Sequence, residues 1–129
     1  MQSMPLVAIV TVLALIEFAA FGGMVGYARS KYGVTAPAIS GQPIFERHFR
    51  VHYNTLEQWL IFLPSMWLFA VYVDPTWAAS LGAVVVVARI PYAIGYVRDP
   101  KKREFGSILG TVALLPLLFG GLVGAIRAL

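Results

Sequence analysis

Arg50, Asn54 and Glu57 stand at i, i+4 and i+7, which lines a cation, an amide and an anion along one helix face. Such a row could grip a zwitterionic ligand bearing both a carboxylate and an ammonium group. The same residues could instead satisfy one another as a salt-bridge ladder. Glu46 and Arg47 extend the row outward. Tyr92 and Tyr96 form a second i, i+4 pair, with Arg89 one turn earlier on the same side. Tyrosines at a helix end also serve as plain interfacial anchors. His48 and His52 share a face too, but that face offers no third clear ligand, so no metal site is expected. His52 is expected to supply a hydrogen bond at the site, and His48 one at the interface.

These groups sit in an unusual setting. The chain of 129 residues is 59% hydrophobic and 12% charged, with a mean hydropathy of +0.76. A charge at mid-bilayer costs roughly 2.5–3.5 kcal/mol on insertion scales, so a cluster of them needs a compensating ligand or network. Four segments approximate the ~20 apolar residues that cross a hydrocarbon core: Met4–Tyr27, Phe45–Val73, Trp77–Val97 and Phe105–Ile126. The expected fold is all-α, an integral membrane four-helix bundle forming one domain over 1–129, with helices at about 4–28, 45–73, 76–98 and 103–127. A large water-soluble domain is excluded. The first run lacks a basic n-region and is read as a retained helix. Zero cysteines mean that any thiol chemistry uses a thiol brought by a substrate.

The formal net charge of +4 is informative by position. Arg29 and Lys31 follow the first helix, Arg47 and Arg50 open the second, and Arg98, Lys101, Lys102 and Arg103 separate the third and fourth. With four crossings these basic segments share one side, which the positive-inside rule makes cytoplasmic. Both termini then lie opposite. Arg103, as the first residue of the fourth helix, could point inward. Glu17 and Arg89 are the charges nearest mid-bilayer, and a structural ion pair between them is expected. Gly22/Gly26, Gly106/Gly110 and Gly120/Gly124 have small-xxx-small spacing, which permits close helix packing and suggests association between chains.

The pattern Glu46-Arg47-x-x-Arg50-x-His52-x-Asn54-x-x-Glu57, followed by Arg89, Tyr92, Tyr96 and Arg103, resembles the MAPEG family, the membrane-associated proteins in eicosanoid and glutathione metabolism. The resemblance covers essentially the whole chain and is nearest to bacterial microsomal-type glutathione transferases. It implies a homotrimer that binds glutathione between neighbouring subunits near the cytosolic face. By the same resemblance Arg29, Arg50, His52, Asn54, Glu57, Tyr92 and Tyr96 hold the tripeptide. Arg103 stabilises its thiolate, with Tyr96 as a second donor. Two positions depart from some members: Ser30 replaces a second arginine and Gln58 a tyrosine. The first speaks against leukotriene-synthase-like chemistry.

The implied partners are glutathione as co-substrate, a lipophilic electrophile or lipid hydroperoxide, and membrane lipid. No metal and no nucleic acid are expected. The implied setting is a multi-pass protein of a bacterial inner membrane. Two other readings compete with the enzyme. A non-catalytic lipid-binding scaffold of the same family is opposed by the intact Arg50, Asn54, Glu57, Tyr96 and Arg103. A small proton-coupled multidrug transporter would need Glu17 free to exchange protons, and the arginine-rich interface disfavours it.

Overall fold

A computed structural model describes residues 3–129, which form four long helices with short connections. α1 spans Met4–Tyr32, α2 Pro43–Tyr72, α3 Pro75–Arg98 and α4 Glu104–Arg127, and a 3₁₀ turn over Pro100–Arg103 leads into α4. No strand occurs among the described residues.

The helix boundaries follow from local chemistry. Proline occupies the first or second position of α1, α2 and α3, where its missing N–H has no intrahelical partner to lose. The Gln42 side chain accepts from the Phe45 N–H at 2.7 Å, and the Glu46 carboxylate reaches back to the Gly41 N–H at 3.1 Å. The two contacts satisfy donors at the start of α2. Asp74 accepts from the Trp77 N–H at 2.8 Å and opens α3. α1 runs past its expected end at residue 28 and stops where Gly33 turns left-handed at φ 69°, with the Val34 N–H returning to the Arg29 carbonyl. Asp99 accepts from the Lys101 N–H at 3.1 Å, so 100–103 wind more tightly. The fourth helix therefore begins at Glu104, and Arg103 is the last residue of the turn rather than the first of the helix.

Among the described residues three stretches are long and apolar enough to cross a membrane: α1, α3 and Pro100–Arg127. α2 is not among them, which corrects the expectation of four apolar spans. The charges from Glu46 to Glu57 that suggest a site also dilute this helix's hydropathy. The bundle accommodates them by placement, because α2 and α3 each pack against every other long helix.

Most of the outward surface is apolar, including Leu6, Ile9, Ile16, Ile108 and Val112. Between helices in lipid, close fit and hydrogen bonds count for more than water exclusion. Phe62 and Met66 of α2, Val7 of α1, Val85 of α3 and Leu117 of α4 are fully buried together. Two indole N–H groups staple α1 to α2: Trp59 to the Ala14 carbonyl at 2.8 Å and Trp67 to the Thr11 hydroxyl at 2.9 Å.

The glycine pairs mostly serve this intrachain packing. A Cβ on Gly106 would lie 2.5 Å from the Tyr92 nitrogen and 2.6 Å from the Ala88 carbonyl, and one on Gly120 would meet the Phe69 ring at 2.6 Å. Gly22 faces His52, and of the paired glycines only Gly26 is open. The close packing that this spacing permits is thus met largely by neighbouring helices of the same chain.

Candidate functional site

The row on α2 lies near the end of the bundle that carries the two basic connections. Arg50 and Glu57 are exposed and Asn54 is half-buried. No ion pair forms within the row among the described residues. The charges are therefore available to a ligand rather than spent on each other. Asn54 donates from Nδ2 to the Tyr92 hydroxyl at 2.9 Å, which leaves its own carbonyl oxygen as an acceptor facing outward from the pair.

Tyr92 and Tyr96 are buried, with ring centroids 5.8 Å apart. The structure thus places both tyrosines inside the bundle, where interfacial anchoring does not explain them. Tyr96 lines a cavity of about 540 Å³ shared with Ser40, Glu46, Arg47, Arg50 and Pro100. This volume falls within the usual range of small-molecule sites, about 300–1,000 Å³. Arg50 from α2 and Tyr96 from α3 thus meet in one space.

Arg103 is exposed and does not point inward as α4's first residue. Its guanidinium carbon instead stands 5.4 Å from the centre of the Tyr96 ring, within reach of a cation–π contact. Gly95 sets up this arrangement, because a Cβ there would collide with the Lys102 carbonyl. With no side chain at 95, the 3₁₀ turn presses against α3 and carries Arg103 over Tyr96. Arg47 braces the same corner by donating to the carbonyls of Val97 and Arg98, both at 3.1 Å. Its role as a cap on α3 was not foreseen from its place in the α2 row. A long cation able to reach the exposed carbonyls of a helix end was the available signal.

Three residues depart from their expected positions. Arg29 donates to the Ala38 carbonyl at 2.6 Å and lies over the Phe45 ring at 4.9 Å. Within its own chain it therefore braces the connection between α1 and α2 rather than the cavity. His52 stacks on Phe18 with centroids 4.4 Å apart, over Gly22. It faces α1 because position 52 is turned roughly 160° from position 54 on a helix of 100° per residue. His48 lies beside a different, apolar groove. Among the described residues no three His, Asp or Glu side chains gather as metal ligands.

Glu17 and Arg89 make no contact of ion-pair length, although each lies within electrostatic reach of the other. Arg89 is 5% exposed, donates from Nε to the Thr55 hydroxyl at 2.8 Å and lies 3.8 Å from the Tyr92 ring centre. The Thr55 hydroxyl in turn donates a hydrogen bond to the Val51 carbonyl at 2.7 Å. One Glu17 carboxylate oxygen and the Gln58 amide oxygen are buried without a hydrogen-bond partner among the described residues. A guanidinium has a fixed fork of donors; here its Nε–H goes to the Thr55 hydroxyl and its face lies over the Tyr92 ring. Thr55 was not singled out from the sequence, since a lone threonine on an apolar helix face carries no signal of this use.

The assembled corner joins a cation, an amide and two phenols from α2 and α3, with a second cation on the turn before α4. Such a set can hold a peptide with charged ends and stabilise an anion beside it. The MAPEG family model matches residues 6–123. An uncharacterised protein of Synechocystis sp. is 49% identical over 116 residues, covering 90% of this chain and 85% of its own. Microsomal glutathione S-transferase 2 of Bos taurus is 40% identical over 125 residues, covering 95% and 84%. Leukotriene C4 synthase of Rattus norvegicus is 34% identical over 131 residues, covering 95% and 87%. With this match along nearly its full length and three helices fit to span a bilayer, the chain is an integral membrane protein of the MAPEG family.

Proposed function

We propose that this chain is a membrane glutathione transferase, activating the glutathione thiol for attack on lipophilic electrophiles. The observation that carries this reading is the meeting of Arg50 and Tyr96 in one cavity, with Asn54 bound to Tyr92 one turn along the same two helices and Arg103 over Tyr96. The relatives named as a microsomal glutathione S-transferase and leukotriene C4 synthases support the same substrate class.

In this reading Arg50, Asn54 and Glu57 hold the tripeptide's carboxylate, amide and ammonium groups, and Tyr92 fixes Asn54. Arg103 faces the sulfur, and Tyr96 donates a second hydrogen bond to it. A free thiol titrates near 8.5, so only a few per cent is thiolate at pH 7. Lowering that value by about two units takes roughly 2.7 kcal/mol. One charge-assisted hydrogen bond supplies about 1.5–3 kcal/mol, so a single arginine suffices. The same thiolate can reduce a lipid hydroperoxide to an alcohol and water, two glutathione molecules giving the two electrons and leaving as the disulfide.

The exposed charges of α2 on an otherwise apolar bundle favour a crevice shared between copies, so the proposal includes a homotrimer. Arg29, occupied with its own loop, is assigned to a neighbouring copy's site, and His52 to the packing of α1. The 129 residues act as one domain, with the cavity on the cytoplasmic side of a bacterial inner membrane and both termini opposite.

Calorimetry with reduced glutathione and its S-hexyl derivative tests the site: both bind, and Arg50→Gln weakens both. Arg103→Leu then tests the chemistry. Its thiolate absorbance in the ultraviolet should vanish at neutral pH while much of the binding remains. An unchanged thiolate band would remove Arg103 from this role.

A further inference from the structure

A second cavity, of about 380 Å³, runs between α1 and α3. Phe21 and Met24 form one wall and Ile90, Ile94 and Val97 the other, over a floor of Val51. It opens on a different face from the glutathione corner. On α3 the residues 90, 93, 94 and 97 are turned roughly 80–180° from the midline of Tyr92 and Tyr96, at 100° per residue. Its rims are exposed: Met24 is 47%, Ile90 50% and Ile94 52% accessible.

The groove is apolar along its length and cationic at one end. Arg98 and His48 close it at the loop end, and Lys31 stands within electrostatic reach of His48. Ile90 lies about 12 Å deeper along α3, eight residues at 1.5 Å each. No carboxylate neutralises this end among the described residues: Asp99, next to Arg98, turns its side chain to the Lys101 N–H. Basic pockets between membrane helices at the level of the headgroups suit anionic lipid headgroups.

We propose that this groove is a binding site for an anionic phospholipid, with one acyl chain between α1 and α3, the phosphate charge on Arg98 and Lys31, and a hydrogen bond from the His48 imidazole. The charge fits an anion, and the length and apolarity fit a chain descending from it. A zwitterionic lipid offers the same chain, but its ammonium faces the same cations and cancels the preference. The site is independent of the proposed transferase reaction.

The test uses the full-length protein in phosphatidylcholine vesicles carrying a few per cent of spin-labelled lipid. The motionally restricted component is compared for phosphatidylglycerol, phosphatidylcholine and stearate. Phosphatidylglycerol should be preferred over phosphatidylcholine by roughly tenfold, and each of Arg98→Gln and Lys31→Gln should cut that preference on the order of fivefold. Two groove-filling variants, Ala93→Phe and Val97→Phe, should abolish it with every cation in place; a pair is used so that misfolding of one leaves the other to report. Equal association of the two phospholipids would overturn the proposal, as would a preference that survives groove filling. A stronger preference for ionised stearate would assign the groove to free acids and overturn it as well.

Discussion

Arg50 and Arg89 sit on adjacent helices and differ in almost every physical respect. Arg50 is exposed, hydrogen-bonded to none of the described residues, and opens onto a cavity. Arg89 is 5% exposed and held by a hydroxyl and an aromatic face. Both are costly in an apolar chain, yet only one is compensated internally. A buried polar group that lacks partners costs about 1–3 kcal/mol, so mid-bundle Arg89 must be satisfied for the fold to hold. At the loop end, water or a ligand completes the shell, and the fold can leave Arg50 open. The difference separates a residue held within the structure from one left open to a cavity.

The contrast can be broken by exchanging the two consequences. Arg50→Gln should weaken glutathione binding by the loss of a charge-assisted hydrogen bond, about 1.5–3 kcal/mol, or tenfold to a hundredfold in calorimetry. Its thermal midpoint should stay unchanged. Arg89→Met should do the reverse, lowering stability by about 1–2 kcal/mol through loss of the Thr55 and Tyr92 contacts. Thermal unfolding in detergent measures this, and an unaltered midpoint would rank Arg89 with the site rather than the scaffold. Asn54→Ala sits between the two, since its half-buried amide is bonded to Tyr92 and is assigned to the tripeptide in the proposed reading. It should cost about 0.5–1.5 kcal/mol of binding with a smaller loss of stability.

Gly22→Ala should have the smallest effect. Its new methyl would approach His52 Nε2 at 3.2 Å, and a shift of a few tenths of an ångström accommodates it. A change above about 0.5 kcal/mol, the usual size for neutral substitutions, would mean that the His52–Phe18 stack constrains α1 more than its contacts indicate.

Much of the fold was legible because apolar runs and their punctuation coincide. Pro43, Asp74-Pro75 and Asp99-Pro100 mark helix starts chemically, and each lies within a residue or two of an observed boundary. The α2 row was legible because i, i+4, i+7 spacing fixes a face whatever surrounds it. The direction of His52 was also contained in that spacing, since a residue two positions from Arg50 cannot share its face. The Glu17–Arg89 pair was not, because both residues are at similar depth and the choice between a carboxylate and a threonine depends on rotamers. Arg103 depended on one boundary residue, and on Gly95 letting the turn close against α3. Arg29 illustrates the remaining limit of reading from one chain, for a side chain at a helix end can serve its own loop or a neighbour.

The two indole staples between α1 and α2 make the protein its own optical probe. Trp59 is 4% accessible, and its N–H and that of Trp67 are held by groups on α1, whereas Trp77 is 65% accessible at the start of α3. Emission from Trp77 should follow the polarity of its surroundings and yield to lipid-borne quenchers. The Trp59 and Trp67 signals should stay constant until the first helix separates from the second, so one spectrum resolves the protein's environment from its integrity.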